Sequence, residues 1–120
     1  MRRGTYSIVA RDAPSGELGV AVQSHWFAVG SVVTWTRAGV GAVATQSVAE
    51  VAHGPGALDR LQQGLDARHA IAAVLREDEL ARFRQLGVVD ARGQRRRTPA
   101  AAASRTRAMC ARRGSPARRT

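Results

Sequence analysis

The spacing of apolar residues changes once along this chain, and that change constrains the fold more than any other feature. Up to residue 46 the pattern is short β-prone runs divided by turns. Thr5-Tyr6-Ser7-Ile8-Val9-Ala10 reads as a first strand and Leu18 to Gln23 as a second. Between them Asp12-Ala13-Pro14-Ser15-Gly16-Glu17 supplies the turn chemistry of a hairpin. Ser31 to Trp35 reads as a third strand. Ala42-Val43-Ala44-Thr45-Gln46, made of small residues that admit close approach, reads as a fourth.

From Gly54-Pro55-Gly56 onward the spacing is helical, with Leu58, Leu61 and Leu65 on one face. Gly64 ends this helix, and Asp66 caps a second whose apolar face is Ala70, Ile71, Val74 and Leu75. Glu77-Asp78-Glu79 closes it. Phe83 to Asp90 returns to strand, and Asp90-Ala91-Arg92-Gly93 is a hairpin turn. A block of strands followed by helices predicts an α+β layered arrangement with antiparallel sheets, not a βαβ winding.

After residue 92 the composition breaks. The formal net charge of +10 lies wholly in the last thirty residues. Residues 1–90 hold nine arginines and nine acids, whereas residues 91–120 hold ten arginines and no acid. The body of the chain is therefore not a basic domain, and nucleic acid is expected to bind only nonspecifically, through residues 93–120. That segment, rich in Arg and Ala with Met109 as its one large apolar residue, is expected to be disordered, because it buries too little to offset its ordering entropy. There is no lysine in the chain. The bias fits a GC-rich coding sequence, and an out-of-frame or truncated reading near residues 93–97 is the economical explanation of the break. A genuine basic tail is the rival.

The single cysteine, Cys110, forms no internal disulfide. No signal peptide or membrane span is legible, so the expected compartment is the cytoplasm, with no membrane partner. His25, His53 and His69 lack metal-ligand spacing, and Gly39-Val40-Gly41 is too short a glycine signal for a nucleotide site. No cofactor is expected.

The run TYSIVARDAPSGELGVAVQSHWFAVGSVVTWTRAGVGAVATQS, with His53-Gly54-Pro55-Gly56 before the helices and RQLGVVDARG after them, closely resembles the bacterial family catalogued as domain of unknown function 1028. The resemblance covers about residues 5–93. It implies a four-layer αββα sandwich of the N-terminal-nucleophile hydrolase type. The chain then divides into an extension (1–4), a partial domain lacking its C-terminal part (5–92) and the tail (93–120). In such enzymes the first residue attacks an amide and its α-amine serves as base. Thr5, at the start of the first strand, is the matching candidate nucleophile once freed from Gly4. The implied activity is hydrolysis of an amide in a small molecule or peptide, with this shortened form expected to be inactive.

Ser24, His25, Gln46 and Ser47 stand at strand ends and are candidates to bind substrate or an oxyanion. Ser24 and His25 are neighbours pointing to opposite faces, which makes them a poor nucleophile–base pair. Capped strand ends are the plainer account. Trp26, Phe27 and Trp35 either bridge core layers or line a pocket. A non-catalytic ligand- or partner-binding protein on the same fold is the alternative function, and an incomplete sheet leaves a homo-oligomer open.

Overall fold

The computed structural model describes residues 5–24, 29–47, 51–98 and 107–112, the last of these, with 31, 32 and 47, by backbone alone. Strands β1 (Tyr6–Arg11) and β2 (Leu18–Gln23) form the expected hairpin, closed by the Asp12–Glu17 turn, where Gly16 takes φ 74°. Strand β7 (Arg107–Arg112) adds to the other edge of β1 in parallel, giving sheet order β2-β1-β7. The second sheet has the order β3-β4-β5-β6 and is antiparallel throughout. Its strands are β3 (Thr34–Arg37), β4 (Gly41–Ser47), β5 (Arg84–Asp90) and β6 (Arg95–Arg97).

Alternation along β4 and β5 divides two cores. Val43, Leu86 and Val88 face helices α2 (His53–Gln62) and α3 (Ala67–Leu75), packing on Leu58, Leu61, Ala70 and Ile71. Ala42, Ala44 and Val89 face the other sheet and pack with Val9, Leu18, Val20 and Val22. Helices, one sheet and the other sheet are thus three stacked layers of an α+β fold.

The helix boundaries follow local chemistry. Asp66 accepts from the Ala67–Leu75 helix at His69 N (2.8 Å), a side-chain N-cap. Gly64 takes φ 101° just past the first helix, a conformation that favours glycine.

Three expectations need correction. The third strand begins only at Thr34, because Gly30–Val33 forms a one-turn helix, α1. The Thr34 hydroxyl donates to the Gly30 carbonyl (2.6 Å), and this local bond competes with extension. Residues 95–97, in the segment expected to be disordered, form β6, the short return strand of the hairpin that turns after Asp90. Its arginine side chains are exposed, so the ladder is held by backbone groups and needs no apolar residue. Thr98 prolongs it, accepting from Leu86 N (3.0 Å) and donating to Arg84 O (3.3 Å). Residues 107–112, expected to be disordered, pair with β1, and there the sheet is parallel, not antiparallel. An open strand edge offers unpaired N–H and C=O groups to any extended segment.

Trp35 lies between helix and sheet. Its indole N–H donates to Thr45 Oγ1 (3.1 Å), and a Cβ at Gly54 would overlap its ring. Glycine in a helix ordinarily costs stability relative to alanine. Here Gly54→Ala drives a methyl into a hydrogen-bonded indole, so it is expected to destabilise the chain by about 1–3 kcal/mol, read as a lowered urea midpoint.

Candidate functional site

β1 and β2 pair with Tyr6 opposite Gln23, so Thr5 and Ser24 stand opposite each other one step beyond the ladder. Their hydroxyls are 2.8 Å apart, Thr5 Oγ1 to Ser24 Oγ, in a half-buried setting. Two sequence candidates 19 positions apart are thereby brought into one hydrogen bond. Both follow the alternation of Ser7 and Val9, and of Val20 and Val22, so they lie on the face turned to the other sheet.

On that other sheet, Gln46 follows the alternation of Ala42 and Ala44, and its cross-strand partner is Gln85. Gln46 is 2% exposed and Gln85 3%. These residues share an end with Thr5 and Ser24. Arg11, at the far end of β1, reaches toward the β5–β6 turn, its Nη1 lying 3.5 Å from where a Cβ on Gly93 would be. The Thr5 end of β1 therefore points toward the start of β5 and the finish of β4. Gln46, a strand-end candidate, lies inside, between the sheets. Among the described residues neither its Oε1 nor its Nε2 has a hydrogen-bond partner, and the same holds for buried Ser7 Oγ.

Ser47 pairs through its backbone with Arg84, and its side chain lies outside the described residues. So do His25, Trp26 and Phe27. Trp35 is on the helix face of its sheet, bound to Thr45, and does not join Thr5 and Ser24.

A second cluster, which the sequence reading missed, lies on the helix face of the same strand ends. Asp78 accepts from Arg84 Nε (2.8 Å), Leu80 N (2.9 Å) and His53 Nε2 (2.6 Å). The side chains of His53, Asp78 and Arg84 are only 12%, 10% and 9% exposed. The Arg84 guanidinium first, then His53, and more weakly the Leu80 N–H hold the Asp78 carboxyl well below the usual carboxylate range, against a desolvation that opposes them. An ionised carboxylate only accepts, so the His53 nitrogen facing it carries the proton. Asp78 was read as part of an acidic helix end and His53 as part of a loop. No local spacing signals that residues 25 positions apart will meet.

The inner group offers hydroxyls and carboxamides. The outer group is a charge-paired brace whose Arg84 adjoins Gln85 in the same strand. Among the described residues no group of three or more His, Cys, Asp or Glu is placed to hold a metal ion, and no helix is long and apolar enough to cross a membrane.

The family model for DUF1028, a family of unknown function, matches residues 5–113. The match runs past residue 93, where the resemblance was read to stop. A crystal structure of a protein from Silicibacter pomeroyi, also assigned to DUF1028, is similar with a TM-score of 0.77 and 26% identity. The likeness covers 83% of this chain and 44% of that one, so the chain spans less than half the length of that relative. No curated protein matches the chain.

Asp78 has its carboxyl depressed in the folded state, so its contribution is complete above the unfolded value of about 3.9 and is lost as pH falls through the lower folded value. Stability is expected to decline below about pH 5. Asp78→Ala is expected to cost about 2–3 kcal/mol at pH 7 and to flatten that acid limb, as read by urea melts across pH 3–7.

Proposed function

The chain belongs to the family of unknown function DUF1028, and from that membership and the paired hydroxyls of Thr5 and Ser24 we propose an amide hydrolase of the N-terminal-nucleophile kind, with Thr5 as nucleophile. The observation that carries this reading is the 2.8 Å contact between Thr5 Oγ1 and Ser24 Oγ at the head of the first strand, between two sheets. The activity proposed is that of the whole domain, of which this chain spans a part.

In this mechanism the Thr5 hydroxyl attacks the amide carbonyl of a small molecule or peptide, while its freed α-amine takes the hydroxyl proton. Collapse of the tetrahedral adduct expels the amine, which leaves with that proton. Water then hydrolyses the Thr5 ester and releases the acid. Ser24 orients the Thr5 hydroxyl through its hydrogen bond. The position of Thr5 on a strand, paired with β2 from Tyr6 onward, supports the reading because a fixed backbone holds the nucleophile in one geometry.

The requirement is chemical: Thr5 has a free amine only after the Gly4–Thr5 bond is cut. Intact-mass analysis of purified protein is expected to show chains beginning at Thr5. Thr5→Ala is expected to abolish that species and, in the whole domain, any amide hydrolysis, while Ser24→Ala slows hydrolysis by the whole domain about tenfold to a hundredfold, the loss of one positioning hydrogen bond. Protein that retains Met1 or Arg2 throughout would exclude a self-activated enzyme.

A further inference from the structure

We propose that Gln46, assisted by Ser7, recognises a neutral amide group presenting one N–H and one C=O on the same side: a primary carboxamide, a lactam or a ureide. The inference deepens the hydrolase reading and rests on it for the identity of the ligand as substrate.

Three observations converge. Gln46 is 2% exposed, and both polar atoms of its carboxamide lack partners among the described residues. Ser7 Oγ, on the facing sheet and toward the same end, is in the same condition. Leaving such groups unpaired costs about 1–3 kcal/mol each, a cost with no return in folding alone. A protein that keeps it at the same end of the two facing sheets as Thr5 and Ser24 gains from it elsewhere.

The chemistry of the ligand follows from what Gln46 offers. A carboxamide presents one donor edge and one acceptor edge in one plane. Its complement is another cis-oriented amide, joined by two parallel hydrogen bonds. A carboxylate would set oxygen against Oε1, and an ammonium would set N–H against Nε2. The surroundings favour a neutral ligand too. Gln85 stands opposite Gln46, and the next pair inward, Ala44 and Gly87, is small and apolar. The charges of Arg84 and Asp78 are on the other face of β5.

The test uses the full chain and benzamide as probe, titrated by saturation-transfer NMR. Propionamide is the smaller alternative; benzoate and N,N-dimethylbenzamide are the controls that lack the donor. Benzamide or propionamide is expected to bind, and the controls are not. Gln46→Met removes the two hydrogen bonds and is expected to weaken binding about tenfold or more. Because it also removes an unpaired buried amide, its melting temperature should equal or exceed the parent's, an outcome a structural glutamine would reverse. Ser7→Ala is the milder second variant, expected to keep the fold and weaken binding severalfold. Absence of binding by both amides, or equal binding by parent and Gln46→Met, overturns the inference. Amide binding that depends on Gln46 and survives Thr5→Ala, with no chain ever found to begin at Thr5, sustains the inference and ends the hydrolase reading. Hydrolysis that Gln46→Met leaves unchanged does the opposite.

Discussion

Seven consecutive antiparallel pairs between β4 and β5 decide which side chains meet the helices and which meet the second sheet. The side-chain period in a strand is two, so a slip by one residue would exchange the two sets entirely. In the observed register Val43, Leu86 and Val88 enter the helix-facing core, while Ala42, Ala44 and Val89 enter the layer between sheets. The same register sets Gln46 against Gln85 and Ser47 against Arg84. The hydrophobic pattern fixes the pairing, and the polar end of both strands follows from it.

The helix face of that polar end is tied by charge. Asp78, between α3 and β5, gathers Arg84 from the start of the strand and His53 from the start of α2. One carboxylate thus joins the connection, the strand and α2. The pairing leaves neither the Asp78 carboxylate nor the Arg84 guanidinium isolated, which is what makes their burial tolerable. It also fixes the backbone at Arg84, immediately before Gln85.

Much of the architecture was legible because it depends on neighbours in sequence. Asp66 as a cap, Gly64 as a stop and Gly93 as a turn each act within a few residues, and each stands where local rules put it. Thr5 and Ser24 were legible as strand-end candidates, and the hairpin made them meet. The failures have other causes. Gly30–Val33 carries β-branched residues, yet the Thr34 back-bond holds one helical turn there. β6 and β7 are arginine-rich, and pairing through the backbone leaves no mark in hydrophobic spacing. Gln46 was legible only as a strand-end residue, and the stacking of two sheets makes it an interior one. Asp78 was hidden in an acidic run because its partners come from distant elements.

The contact between Trp35 and Gly54 has an evolutionary consequence. The indole occupies the volume that a side chain at position 54 would need, and Thr45 holds the ring by its nitrogen. These positions are therefore not free to vary one at a time. A larger residue at 54 becomes acceptable only after position 35 has been reduced, and reduction at 35 alone leaves a void and removes the indole N–H that donates to Thr45 Oγ1. Such a pair is epistatic in either order of change. The first turn of α2 and the third strand are bound to one another through inheritance as well as through packing.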